Sequence, residues 1–278
     1  MKPLTLARLA AAIAVLTLSA GVHAQAQKAA KSEFKPQVGQ AGKDVIWVPT
    51  PDEVVDRMLT LTRLGASDYH MDLGSGDGRT VIAAAKKGAR ALGIEYNPDM
   101  GAVAQKNARA AGVSARAEFR KADIFATDFT KATVITLYLL PELNLRLRPK
   151  ILEMKSGTRI ASHQFNMGDW EPDQTDVIDG RSVHYWMVPA KVAGRWTVQQ
   201  PGGPLELSVQ QTFQKLAATA RSGGRTLDVK EAKLSGEAIT LVVTGDDGKP
   251  IQYSGRVSGK TMEGTMKPGD AKWSASLN

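Results

Sequence analysis

The chain has 278 residues, 42% of them hydrophobic, no cysteine and a formal charge of +8. That length suits one large or two modest domains, and the missing cysteines exclude disulfides, a thiolate zinc site and a cysteine nucleophile. The charge is uneven: residues 25–180 carry 21 basic and 20 acidic side chains, whereas residues 181–278 carry 13 basic and 8 acidic. The first stretch is therefore nearly neutral, and no nucleic-acid partner is expected. The basic second stretch reads as dispersed surface charge on a solvated domain.

Lys2 and Arg8 precede an apolar run from Leu9 to Val22, followed by the small-residue pattern Val22-His23-Ala24. These are the parts of a cleavable signal peptide, residues 1–24, and export to the periplasm is the expectation. The run is too short to span a bilayer well, and no later segment approaches that length. Residues 25–44, rich in Gln, Lys, Ala, Ser and Gly, read as a flexible leader. Thr50-Pro51-Asp52-Glu53 then signals a helix start, with Thr50 as N-cap, Pro51 at the first helical position and Glu53 completing a capping box. Val54, Val55, Met58, Leu59 and Leu61 give it an apolar stripe.

Strands and helices then alternate. A strand ends at Asp72 and a helix spans Arg79–Lys87, followed by a strand at Ala89–Glu95 and a helix at Pro98–Ala111. Strands follow at Ala117–Ile124 and Thr133–Leu140, a helix at Glu142–Lys155 disturbed near Pro149, and a strand at Thr158–Phe165. Asp179-Gly180 between Thr175–Ile178 and Ser182–Val188 is a hairpin signal. The pattern predicts an α/β fold: a Rossmann-like seven-strand sheet, mainly parallel with an antiparallel last strand, over residues 45–189. From residue 190 the helical runs vanish. Alternating segments such as Leu205-Leu207-Val209 and Ile239-Leu241-Val243 predict a second, smaller antiparallel β domain, either barrel or sandwich. Trp196, Phe213, Tyr253 and Trp273 are its candidate core.

The chemistry concentrates in Asp72-Leu73-Gly74-Ser75-Gly76-Asp77-Gly78-Arg79, which lies between a strand and a helix. The glycines let backbone approach a ligand closely. A dinucleotide fingerprint needs G-x-G-x-x-G and a helix N-terminus aimed at a pyrophosphate. Here the spacing is G-x-G-x-G, and Asp77 between the last two glycines would repel a pyrophosphate but tolerate a cation. Carboxylates closing neighbouring strands, Asp72 and Glu95, suit a nucleoside bearing an amine and a ribose diol, and S-adenosylmethionine fits. Ligands of open α/β sheets bind beyond the strand carboxyl ends. Asp72, Gly74, Ser75 and Gly76 are thus expected at the methionine part, Glu95 at the ribose, and Asp123 with Ile124 at the adenine. Tyr138, Glu142 and Asn144 fall where a methyl acceptor would need help, and Tyr138 and Asn144 are the candidate catalytic residues. Ser162-His163 is not read as a nucleophile–base pair, because adjacent strand residues face opposite ways. Arg146, Arg148 and Lys150 form a basic ladder suited to solvent or to steering an acidic substrate.

Val48-Pro49-Thr50-Pro51, Asp72–Arg79, Tyr138-Leu139-Leu140-Pro141 and Leu147-Arg148-Pro149-Lys150 together resemble the seven-strand protein-lysine methyltransferases related to the ATP synthase c-subunit lysine methyltransferase. The resemblance covers Val45 to Asp173. It implies S-adenosylmethionine-dependent methyl transfer, cofactor contacts from Asp72, Gly74, Gly76 and Glu95, and a protein lysine as acceptor. Two readings stand beside it: a methyltransferase for a small molecule, and an exported binding protein that kept the fold without catalysis.

Overall fold

The computed structural model describes residues 34–245 and 247–278. The expected signal peptide, residues 1–24, lies outside the described residues, as do residues 25–33 of the expected leader. Among the described residues no helix is long and apolar enough to cross a membrane.

The first helix, α1, spans Asp52–Leu61 and buries Val54, Val55, Met58 and Leu59. Its cap differs from expectation. Pro51 holds the N-cap position without a side-chain hydrogen bond, because the Thr50 hydroxyl is engaged elsewhere, with His163 Nδ1 at 3.2 Å. The chain continues through β1 (Tyr69–Leu73), α2 (Arg79–Lys86), β2 (Arg90–Glu95), α3 (Pro98–Ala110), β3 (Ala117–Lys121), β4 (Val134–Leu137), α4 (Pro141–Leu152), β5 (Arg159–His163), β6 (Gln174–Ile178) and β7 (Arg181–Met187). These seven strands form one sheet in the order β3-β2-β1-β4-β5-β7-β6. Neighbours from β3 to β5 are parallel, and β7 is antiparallel to β5. Asp179 and Gly180 both have positive φ, as a tight hairpin turn requires.

Two elements depart from the sequence reading. β3 stops at Lys121 rather than Ile124 because Asp123 starts a turn: its carbonyl accepts from Ala126 N and Thr127 N, and its Oδ1 from Phe125 N. Helix α4 runs through Pro149 without interruption to Leu152. Leu143, Leu147 and Ile151 bury one face of it in the core, which outweighs the local preference of proline to end a helix.

The second region comprises β8 (Gly194–Gln199), β9 (Leu205–Thr212), β10 (Lys215–Ser222), β11 (Arg225–Leu227), β12 (Val229–Ser235), β13 (Ala238–Thr244), β14 (Pro250–Ser258), β15 (Thr261–Lys267) and β16 (Lys272–Leu277). Pairing of β16 with β8 and of β9 with β10 closes eight of these nine strands into an up-and-down barrel, and β11 extends the edge at β10. Alternation along the strands points Leu205, Leu207, Val209, Ile239, Leu241 and Val243 inward. An eight-stranded barrel is just wide enough for side chains to fill it, and Trp196, Tyr253 and Trp273 complete the filling. Phe213 does not join them. It sits at φ +54° in the β9–β10 turn, and its ring packs on the core of the first region, stacked 6.0 Å from Trp170.

Candidate functional site

The sheet order lines up the carboxyl ends of β3, β2, β1, β4 and β5, and so sets Asp123, Glu95, Asp72, Tyr138 and Phe165 in a row. All five line one cavity of about 320 Å³. Gly74, Ser75, Gly76 and Ile124 line it too, so every expected cofactor contact and Tyr138 meet in one place.

The glycine turn is pinned by the chain's own hydrogen bonds. Gly74 N and Ser75 N both donate to Ile94 O, at 2.9 and 3.0 Å, tying the turn to β2. Gly76 and Gly78 have positive φ, of 52° and 84°. A Cβ at Gly78 would stand 2.7 Å from the Phe119 ring, so only glycine lets α2 start this close to the sheet. Gly76 N donates to Glu95 Oε2 and Asn97 N to Glu95 Oε1, each at 2.9 Å. These two amides fix the carboxylate at the cavity wall while each oxygen keeps acceptor capacity.

Asp72 lies in a buried chain of polar groups. His70 and Asp72 share one face of β1, and Thr136 is the partner of Asp72 on β4. Thr136 Oγ1 donates to Asp72 Oδ1 at 2.6 Å and lies 2.8 Å from His70 Nε2. One hydroxyl carries one proton, so beside an ionised Asp72 His70 must be the Nε2–H donor. Burial pushes Asp72 up to about 7, with the charges of Glu95 and Asp77 adding and the Thr136 hydroxyl opposing. Burial pushes His70 down to about 3, so it stays neutral. A carboxylate held in the wall by desolvation is a receptor for a cation.

Asp77 is not the bare charge the sequence suggested. Arg79 forks it, Nη2 to Oδ2 at 2.8 Å and Nε to Oδ1 at 3.1 Å, and Arg79 Nη1 donates to Thr50 O at 2.8 Å. The pair ties the glycine turn to the start of α1. Asp123 is also engaged: Lys43 Nζ lies 2.6 Å from its Oδ2 and lowers its pKa, helped by the Phe125 amide.

At the other end of the row the Tyr138 ring lies 3.9 Å from His163 and stacks toward Phe165 at 6.3 Å. Burial pushes His163 down to about 4. Asn144 is a correction. It is fully buried and absent from the cavity lining. Its Nδ2 donates to Phe165 O and Asn166 O at 3.2 and 3.1 Å, holding the loop after β5. It holds the backbone of Phe165 and Asn166 from inside the core. The basic ladder is engaged rather than free: Arg146 covers the Phe125 ring, Arg148 holds Met167 O and Asp169, and Lys150 donates to Thr127 O.

Sequence reasoning missed Lys43, Tyr96, the place of His70 in the buried chain and the pairing role of Arg79. Only His70 carried a local signal, two residues before Asp72 on one strand face.

The site fits a nucleoside carrying a cation. It offers three carboxylates in a row, a backbone cradle that admits no Cβ at Gly76, and a buried Ser75 hydroxyl with no hydrogen-bond partner. Comparison with known proteins agrees. Residues 72–174 match the ANTKMT methyltransferase domain. A protein-lysine N-methyltransferase of Saccharolobus islandicus is 41% identical over 144 residues, which cover 50% of this chain and 89% of that protein. The ATP synthase c-subunit lysine N-methyltransferase of Mus musculus is 33% identical over 130 residues. The match covers 46% of this chain and about half (52%) of the mouse protein's length. An RNA methyltransferase of Salinibacter ruber, solved with S-adenosyl-L-homocysteine, is 50% identical over 52% of this chain and 96% of that chain, with a TM-score of 0.51. The chain therefore belongs to the class I S-adenosylmethionine-dependent methyltransferases, in the family of the Saccharolobus islandicus protein-lysine N-methyltransferase.

Proposed function

We propose that the methyl acceptor is a protein lysine and that the protein works outside the cytoplasm, in the periplasm. The observation that carries the acceptor is the wall beyond Asp72. Tyr138, Leu139, Leu140, Leu143 and Phe165 line that end of the cavity, and Leu140 leaves apolar surface exposed there. An aliphatic stem with a terminal nitrogen matches an apolar, aromatic channel that leads to a polar centre. Residues 25–180 are nearly neutral in balance, and the basic ladder Arg146, Arg148 and Lys150 is engaged with protein groups, which favours a protein acceptor over a phosphate backbone. The names of the archaeal and mouse relatives support a lysine, and that of the Salinibacter protein supplies the competing RNA acceptor. The Lys2/Arg8, apolar run and Val22-His23-Ala24 pattern supports export.

When bound, the cofactor supplies a methyl group already activated on a sulfonium, and nitrogen takes it as the carbon–sulfur bond breaks. The protein's work is alignment and exclusion of water. Asp72, Glu95 and Asp123 hold the donor, and Tyr138 and Phe165 hold the acceptor stem. The apolar wall disfavours an ammonium there, which lowers the lysine pKa toward the neutral form that can attack.

The test is transfer of a tritiated methyl group from S-adenosylmethionine to periplasmic proteins and to total RNA in parallel, with Asp72→Asn as control. Label on lysine in the protein fraction, lost in the variant, is expected. Label confined to RNA rejects the lysine acceptor, and fractionation that leaves the protein in the cytosol rejects the periplasm.

A further inference from the structure

The cavity has a wall that the strand ends do not supply. Residues 39–47 fold back on themselves: Gly39 N donates to Trp47 O and Trp47 N to Gln40 O, both at 2.9 Å, and Gly42 N donates to Val45 O at 3.0 Å. Every residue from Gln40 to Trp47 lines the cavity. The hairpin lies outside residues 72–174, which match the family domain.

Three contacts fasten it across the site. At the tip, Lys43 Nζ reaches Asp123 Oδ2 at 2.6 Å and lies 5.0 Å from the Tyr96 ring centroid. At the base, the Trp47 indole covers the glycine turn, since a Cβ at Gly76 would stand 2.6 Å from Trp47 Nε1. Between them, Gln40 Nε2 donates to Met100 Sδ at 3.3 Å. The hairpin thus touches the turns after β1, β2 and β3, the ends assigned to methionine, ribose and adenine. It is not a core element. Ile46 is 58% exposed and Val38, just before it, 69%. Its fastenings are one solvent-exposed ion pair, one half-buried indole, the Gln40–Met100 contact and the partly buried Val45 side chain, and these can part without unfolding the sheet.

We infer that residues 39–47 are a gate over the cofactor and that Lys43 and Trp47 are cofactor-positioning residues. Lys43 closes the adenine end by bridging Asp123 and Tyr96, and Trp47 covers the turn that cradles the methionine end. The nucleoside enters when the hairpin lifts and is held when the Lys43–Asp123 pair re-forms. The inference rests on the cofactor assignment and not on the acceptor.

The test is the dissociation rate of S-adenosyl-L-homocysteine from the full chain, measured by stopped-flow displacement. An exposed ion pair contributes little, so Lys43→Met should speed release about two- to fivefold. Loss of an aromatic cover should speed it about tenfold in Trp47→Leu. Raising salt from about 0.05 to 0.5 M should speed release more from the native protein than from Lys43→Met, because only the native protein has the exposed Lys43–Asp123 pair to be screened. A merely structural role for Lys43 predicts no such difference. Unchanged release in both variants overturns the gate. Slower release from Lys43→Met also overturns it, because the ammonium would then be competing with the nucleoside for Asp123. If Trp47→Leu fails to fold, Lys43→Met and its salt dependence decide alone. No binding by the native protein would instead overturn the cofactor assignment itself, and the gate with it.

Discussion

The two sheets handle polarity in opposite ways. In the barrel, ion pairs such as Lys230–Asp228 and Lys233–Glu231 lie on the surface. Its buried polar tips are paired, Trp196 Nε1 with Val192 O and Trp273 Nε1 with Thr265 O. The seven-strand sheet instead carries a desolvated Asp72, an unpartnered Ser75 hydroxyl and an unpartnered His70 Nδ1 around one row of strand ends. Local consistency marks the region built for stability, and tolerated cost marks the region built for chemistry. The barrel breaks its own rule once, at Phe213. That side chain leaves the barrel to stack on Trp170, five residues after Phe165 in the chain. Gln214 beside it accepts from Trp170 Nε1 at 3.0 Å and donates to Glu171 O at 2.7 Å.

The sharpest test of that contrast is Asp72→Asn. If the carboxylate costs stability and serves the ligand, the variant should lose S-adenosylmethionine affinity by about a hundredfold, as for a buried charge contact, yet melt no lower than the native protein. Titration calorimetry and a thermal melt on the same sample decide it; a variant that binds normally would remove Asp72 from the cofactor site. The converse substitution is Trp273→Ala, in the barrel core. The residue is 3% exposed, so truncation should cost about 3–5 kcal/mol of stability. Below its melting temperature the variant should bind S-adenosyl-L-homocysteine as the native protein does. A comparable loss of binding would show that the barrel shapes the cofactor end as well.

Gln214→Ala probes the bridge between the regions. It leaves the Trp170 indole N–H and the Glu171 carbonyl without their partner, a cost of about 1–3 kcal/mol. Because Gln214 ties the barrel to Trp170 and Glu171, in the segment that follows the loop carrying Phe165, methylation should fall about three- to tenfold at subsaturating acceptor. The homocysteine product should still bind unchanged. Equal losses in both assays would point to general loosening of the fold.

What the sequence showed and hid follows the same division. The glycine turn, the strand-end carboxylates and the Asp179-Gly180 hairpin are encoded within a few residues each, so spacing sufficed. Lys43 was invisible because its partner is 80 residues away, and nothing in a polar leader announces a hairpin tip. Phe213 is apolar among alternating strands and so reads as barrel core; only the left-handed turn sends it to the other region. Asn144 was misread for a different reason. It lies on the buried stripe of α4 beside Leu143, Leu147 and Ile151, and a polar residue on a core stripe is more often a held hydrogen-bond partner than a catalyst.

The pH dependence of the cofactor site titrates the contrast directly. The folded-state pKa of Asp72 is raised to about 7, so between pH 4 and 7 the ligand-free protein holds a proton that the unfolded chain has released. Asp72 therefore supports the ligand-free fold at low pH, and that support is lost as pH rises through 7. His70 and His163 act with the opposite sign. Their pKa values are lowered to about 3 and about 4, so they cost stability as pH falls below the unfolded histidine value near 6.5. Comparing native protein with Asp72→Asn cancels the histidines, and the Tm advantage of the variant should widen from pH 6 to pH 8. A cation favours the ionised carboxylate, so S-adenosylmethionine affinity should rise about tenfold over the same interval, with proton release at pH 6. In the variant the affinity should be flat. Equal pH dependence in the two proteins would mean that the titrating group is elsewhere, and would leave Asp72 as an ordinary ionised strand-end carboxylate.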